Sequence, residues 1–279
     1  MLKCIKILIM IKREIKVEKS KKILEVLADN SFSYAAAQKM LRNKDIKLNG
    51  KVCKENVKAE VGDVLTCFYK EEIKPYEIVF ENDEVVLINK FAGIEVENGL
   101  DKLLHAYSVH RLDRNTEGLL VMAKTLDAKA KLEKAFKNHL IKKFYLTEVV
   151  GEFNVDKTFK AYLVKDAEKA LVKIFPNKVK GAVLIQTKIK TLKAKKESSL
   201  LEVEIIGGKT HQIRAHLAYL GHAIIGDGKY GKREDFVKFK EKRQKLFAYK
   251  LVFQDIGIEE LDGKEFVIFP KWLDKVSIN

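Results

Sequence analysis

The chain has 279 residues, 47% hydrophobic and 33% charged, which describes a soluble, core-forming protein long enough for one large domain and a small one. Lys and Arg outnumber Asp and Glu by 54 to 39, and the formal charge of +15 points to a polyanionic partner, nucleic acid first. Three scattered cysteines, Cys4, Cys53 and Cys67, exclude a disulfide scaffold and a zinc module and fit a reducing cytoplasm.

The apolar start, residues 1–12, is interrupted by Lys3 and Lys6, is too short to span a bilayer and lacks a small-residue cleavage site. Met10 is a second candidate start, and no later stretch approaches a transmembrane helix, so no membrane partner is expected. Residues 20–30 read as a short helix with Ile23, Leu24 and Leu27 on one face. Ser33 is placed to cap a second helix, 34–42, with Tyr34, Ala37 and Leu41 at core spacing and Lys39 and Arg42 sharing another face. Asn49-Gly50 predicts a hairpin between residues 46–48 and 51–52, and Gly62-Asp63 a turn before the strand 64–69. Residues 1–74 carry 17 Lys+Arg against 10 Asp+Glu, whereas 75–102 carry seven acids against two lysines. Pro75 stands at that change, after Lys70-Glu71-Glu72, which puts a domain boundary near 72–75.

Beyond the boundary, strands are expected at 78–80 and 85–88 around the turn 81–83, then a buried strand at 119–123 and a helix over 126–140 with Leu132, Ala135, Phe136 and Leu140 on its apolar face. Residues 144–150, 182–189 and 200–206 are β-rich. Strands predominate without regular alternation with helices, so the fold class is α+β with a mixed or antiparallel sheet.

Two stretches carry chemistry. In His110-Arg111-Leu112-Asp113-Arg114-Asn115-Thr116-Glu117-Gly118 an acid sits between arginines at a polar turn feeding an apolar strand. Nearby opposite charges favour the charged form of a carboxylate, and strand mouths are where catalytic groups tend to sit. A structural ion pair capping the strand is the plainer reading of this motif alone. Downstream, Gly207-Gly208 breaks a strand, and Thr210 is placed to cap a helix with Ile213, Leu217 and Leu220 on its core side and Arg214 facing away from it. Its N-terminus, with Lys209, His211 and Arg214, is suited to an anion, either a phosphate or the carboxylate of Asp113. His211 and His216 are five apart, on different faces, and no acids cluster with them, so a metal site is not expected; His216 and His222 read as core or hydrogen-bonding histidines.

Residues 33–63, with Ser33 to Lys39, Lys47-Leu48-Asn49-Gly50-Lys51 and Gly62-Asp63, resemble the S4 RNA-binding domain, which implies an S4-like module over 12–72 gripping RNA backbone through Lys39, Arg42 and Lys44. The stretches His110 to Val121, Lys143-Phe144-Tyr145-Leu146 and Gly208 to Asp227 resemble the RluA-type pseudouridine synthases, supported by Val86 to Lys90, Leu246 to Phe253 and Phe269-Pro270. Phe91, Glu117 and Lys209 depart from the family's usual proline, serine and arginine. The resemblance implies a pseudouridine synthase fold over 75–279, with a largely antiparallel central sheet and flanking helices. It implies isomerisation of uridine to pseudouridine without cofactor or metal, and an RNA substrate that is extruded from its helix, as any chemistry on a stacked base requires.

By that resemblance Asp113 is the catalytic carboxylate, acting by ribose C2′ deprotonation or by covalent attack. Tyr145 stacks on the uracil, Arg214 pairs with Asp113, and Arg111 fills the gap left by the flipped base. With the S4-like module, the likeness is to the large-subunit ribosomal RNA branch of RluC or RluD type, acting as a cytoplasmic monomer on free RNA or assembly intermediates. Two rival readings remain. One is a noncatalytic RNA-binding or ribosome-assembly factor on the same scaffold. The other is a hydrolase using Asp113 and His110, which lacks a second positioned carboxylate or activated nucleophile.

Overall fold

The computed structural model describes residues 7–73, 75–166, 171–241 and 243–273; Cys4 and the first six residues of the apolar start lie outside them. The chain divides into two compact units, Met1–Lys74 and Pro75–Asn279. No helix among the described residues is long and apolar enough to cross a membrane.

In the first unit, β1 (Ile7–Lys16) is followed by β2 (Lys21–Lys22), α1 (Ile23–Asp29), α2 (Tyr34–Arg42), β3 (Ile46–Leu48), β4 (Lys51–Val52), β5 (Lys58–Ala59) and β6 (Val64–Ile73). The main sheet runs β1-β6-β3-β4, and β2 pairs with β5. Ser33 does cap α2, its Oγ accepting the Ala36 N–H at 3.2 Å. The hairpin turns on Asn49 and Gly50, both at positive φ (48° and 82°), as the two-residue turn requires. Asn49 also ties it to the Gly62-Asp63 turn, donating to Asp63 at 2.8 Å and accepting from the Val64 N–H at 2.9 Å. The core gathers Ile23, Leu24 and Leu27 of α1 with Ala37, Met40, Ile46 and Leu65. Tyr34 does not join it. It is 55% exposed, because in the first turn of α2 it lies past the edge of a small core whose buried pair is Ala37 and Met40.

The second unit contains β7 (Tyr76–Glu81), β8 (Val85–Lys90), α3 (Asp101–Leu104), β9 (Tyr107–Ser108), β10 (Glu117–Ala123), α4 (Leu126–Lys137), β11 (Ile141–Val150), β12 (Asp156–Asp166), β13 (Leu171–Phe175), β14 (Val183–Ala194), β15 (Ser198–Ile206), α5 (Gln212–Tyr219), α6 (Arg233–Phe239), β16 (Leu246–Phe253) and β17 (Glu265–Val267). One sheet runs β13-β12-β14-β15-β11-β16-β10-β8-β7, with β17 on β16 and β9 on β10. Its pairs are antiparallel except β10–β16, where Glu117 and Gly118 lie beside Phe247 and Ala248. The fold is therefore α+β with a mixed, largely antiparallel sheet. At the parallel pair, Gly118 has φ +117°, and a Cβ there would lie 2.2 Å from the Ala248 carbonyl oxygen. Only glycine permits this approach of two backbones.

β10 is central and buried on both faces, which accounts for its unbroken apolar run. Leu119, Val121 and Ala123 face α4, whose Leu132 and Ala135 join Leu87 and Phe253 in the core of that layer. The helix ends at Lys137, short of residue 140. His139 turns left-handed at φ 59°, its N–H bonding the Phe136 carbonyl, while the Leu140 N–H bonds the Ala135 carbonyl at 2.9 Å. This closure satisfies the last carbonyls and still packs Leu140 on the core.

Candidate active site

Asp113 lies four residues before β10, in a loop fixed on both sides of it. The Thr116 N–H bonds the Asp113 carbonyl at 3.0 Å, and Gly93 and Arg114 bond one another. Lys90, at the end of β8, is fully buried beneath the loop, and its ammonium donates to the carbonyls of Phe91, Arg114 and Thr116 at 3.0, 3.0 and 2.9 Å. Gln244, ahead of β16, donates to the Thr116 hydroxyl at 2.8 Å. Burial brings Lys90 down to about 8, against the opposing pull of Glu117 and Asp113. The backbone around Asp113 is thus immobilised while its side chain keeps 17% of its surface exposed.

Arg214 reaches Asp113 from α5. His211, in a left-handed conformation at φ 53°, opens this helix in place of Thr210, and the Gln212 side chain accepts the Lys209 N–H at 3.1 Å. Arg214 is buried: its Nε and one terminal nitrogen bond Asp227 at 2.7 and 2.8 Å while the other donates to Asp113 Oδ2 at 2.9 Å. Burial opposes the guanidinium charge, but the hydrogen bonds and charges of Asp227 and Asp113 raise it above its ordinary value. Asp227 is wholly enclosed and also accepts the N–H groups of Lys229 and Tyr230 at 2.9 and 3.3 Å. Burial pushes its carboxyl up, and Arg214 with those N–H groups brings it below the usual carboxylate range. The forked Asp227 contact fixes the guanidinium plane and leaves one edge for Asp113.

His211 stands on the other side of Asp113, Nε2 at 3.8 Å from Oδ2, with Nδ1 2.9 Å from the Tyr230 hydroxyl. That hydroxyl accepts the Val172 N–H at 3.0 Å. Burial holds the imidazole below its ordinary value, offset in part by Asp113. Tyr145, on β11, is buried, and burial and the Asp113 charge raise its phenol above the normal range, so it stays protonated.

Asp113, Tyr145 and Arg214 line one cavity of about 360 Å³, together with Arg111, Lys209 and His211. Asp113, Arg111 and Arg214 also line an adjoining cavity of about 930 Å³, with Arg114, Lys229 and Arg243 around it. The six residues read as a site around residue 113 therefore converge. Lys39, Arg42 and Lys44 lie in the first unit, exposed, on α2 and the turn after it. His110 does not partner Asp113. Its Nε2 accepts the Val121 N–H at 3.1 Å, and burial with the Lys143 charge brings it down to about 3. His216 and His222 are hydrogen-bonding histidines, on Thr187 Oγ1 and the Val150 carbonyl.

Sequence reasoning gave no role to Asp227, Tyr230 or Lys90. An acid inside the glycine-rich turn Gly226-Asp227-Gly228 was the available signal for the first, and a lysine ending an apolar strand for the last.

The family model described as RNA pseudouridylate synthase matches residues 73–219, more than half of the chain. The chain belongs to that family. Its RNA pseudouridylate synthase relatives include an uncharacterised RNA pseudouridine synthase of Mycoplasma pneumoniae, 31% identical across 80% of this chain and 81% of that one. Others are the ribosomal large subunit pseudouridine synthase C of Vibrio parahaemolyticus (30%, across 70% and 71%) and synthase D of Vibrio cholerae (31%, across 86% and 84%). The solved human RNA pseudouridylate synthase domain containing 1 shares the fold, with a TM-score of 0.59 at 22% identity over 71% of this chain and 84% of that one. As an RluA-type pseudouridine synthase, the protein is an enzyme that isomerises uridine in RNA to pseudouridine.

Proposed function

We propose that this synthase modifies uridines of large-subunit ribosomal RNA, with Asp113 as its catalytic carboxylate, Tyr145 stacked on the extruded base and Arg214 orienting Asp113. The observation that carries the assignment is Arg214, clamped by buried Asp227 and donating its remaining edge to Asp113 within the cavity that Tyr145 lines. The names of the relatives from the two Vibrio species support the ribosomal substrate.

The two open routes for Asp113, removal of the ribose C2′ proton and covalent attack, ask the same of the protein. A carboxylate oxygen must be held at a fixed place beside the sugar and base. Extrusion of the uridine costs roughly a few kcal/mol, and stacking on an aromatic ring returns about 1–3 kcal/mol. Arg111 lines both cavities with an exposed side chain, a position suited to filling the vacated stack. The first unit, over 12–72, serves as an S4-type RNA-binding module in which Lys39, Arg42 and Lys44 grip phosphates, and the catalytic domain spans 75–279. The enzyme works as a cytoplasmic monomer on free ribosomal RNA or assembly intermediates.

The test is position-resolved pseudouridine mapping of ribosomal RNA from cells lacking the gene. One or more large-subunit sites should revert to uridine and be restored by the wild-type gene but not by Asp113→Asn. An unchanged map in the deletion strain overturns the substrate, and restoration by Asp113→Asn overturns the role of Asp113.

A further inference from the structure

The cavity that holds Asp113 and Tyr145 contains a cation with no assigned task. Lys143 lies two residues before Tyr145 on β11 and lines the same cavity. Its ammonium donates to the Gly207 carbonyl and sits 5.2 Å from the centre of the Phe136 ring. The bend that receives it is made for it: a Cβ on Gly208, at φ +125°, would come within 3.0 Å of Nζ. The cross-strand neighbours of Lys143, Ile205 of β15 and Leu251 of β16, are apolar. Among the described residues no acid pairs with it, and burial alone brings it down to about 8. A carbonyl and a ring face leave donor capacity on the ammonium for a ligand in the cavity.

Resting on the assignment of this cavity to the extruded base, we propose that the Lys143 ammonium is a catalytic residue that takes up the negative charge developing on the uracil. When the N1–C1′ bond breaks, its electron pair leaves with the base and spreads from N1 onto the carbonyl oxygens O2 and O4. After rotation, C5 forms the new bond to C1′ with that charge, the C5 proton is lost and N1 gains one, so nothing is taken from outside. Covalent attack at C6 of the base would place negative charge on O4, one of the same oxygens. Lys143 therefore serves either route open to Asp113. A cation fixed beside the base acts where charge develops, and loss of one such donor costs about 10²–10³ in rate.

Single-turnover kinetics on a uridine-containing transcript, paired with RNA-binding titrations, test this. Lys143→Met should slow conversion about 100-fold with RNA affinity changed less than about threefold, and Lys143→Arg should recover most of the rate. The charged and titratable groups around Lys143 are His110 in the Asp113 loop, Tyr145 on its own strand, and Arg111, Asp113, Lys209, His211 and Arg214 around the cavity. Wild-type rate should fall as pH rises through about 8, where Lys143 loses its proton. Lys90 is brought to a similar value, so the deciding readout is Lys143→Arg, which should stay active above that limb. Wild-type rates in Lys143→Met, or an alkaline limb unmoved in Lys143→Arg, overturn the proposal. If Lys143→Met does not fold, the limb of Lys143→Arg still decides. Asp113→Asn run alongside separates the two levels: full activity in that variant sinks the assignment of the cavity, whereas an inactive Asp113→Asn with an unaffected Lys143→Met sinks this inference alone.

Discussion

The loop around Asp113 and the helix α2 of the first unit both carry charged side chains, yet they are built in opposite ways. On α2 and the turn after it, Lys39, Arg42 and Lys44 are exposed, and the helix needs only a serine cap and two buried residues to hold them. Around Asp113, every neighbour is held by another: Lys90 under the loop, Gln244 on Thr116, and Arg214 clamped by an Asp227 with no exposed surface. Binding phosphates tolerates mobile, hydrated cations because the gain comes from counterion release. Breaking a glycosidic bond needs a carboxylate oxygen within a fraction of an ångström of its target, so its supports are buried and redundant.

Breaking the rigid side of this contrast should cost most. Asp113→Asn keeps the size of the side chain and its contact with Arg214, and is expected to lower single-turnover rate by about 10³–10⁴ while RNA affinity stays within a few-fold. A comparable loss of affinity would show that the residue binds RNA rather than acting on it. Asp227→Ala leaves a buried guanidinium without its main partner and should destabilise the protein by about 3–5 kcal/mol in urea unfolding. The pH dependence sharpens this. The folded carboxyl of Asp227 lies below its ordinary value of 3.8, so its contribution is present above that value and fades as pH falls through the lower folded one. Asp227→Ala should therefore show a shallower acid limb of stability than wild type, and identical limbs would place the acid sensitivity elsewhere.

Gly118→Ala tests the frame rather than the charges. The new methyl meets the Ala248 backbone at a positive φ, which should cost on the order of 2–3 kcal/mol and reduce activity through the adjoining Asp113 loop. On the open side of the contrast, Lys39→Ala combined with Arg42→Ala should leave stability and saturated rate unchanged. It should flatten the dependence of RNA affinity on salt by about 0.7 for every phosphate that is no longer neutralised. An unaltered slope would remove α2 from the RNA footprint.

Local structure was readable wherever one short segment contained its own cause. Ser33, Asn49-Gly50 and the apolar run of β10 each specify a cap, a turn or a central strand without help from distant residues. Misreadings came where tertiary partners intervened. Thr210 was a sound cap by type, but the chain turned at His211. Arg214 was read as facing away from its helix's apolar side and toward Asp113, but nothing nearby announced its second partner Asp227, thirteen residues away across a glycine-rich turn. Tyr34 failed for the reverse reason, since its helix position was right and the core was too small to reach it.

For this protein, charge, the α+β class, the family and the identities of Asp113, Tyr145 and Arg214 are properties of the order of residues, because motif chemistry and local propensities are short-range. The clamp on Arg214, the three carbonyls around Lys90 and the half-buried ammonium of Lys143 exist only once the sheet is assembled. They depend on burial and on bonds between residues as far as 101 positions apart, as Arg214 and Asp113 are, and desolvation has no counterpart in a linear string.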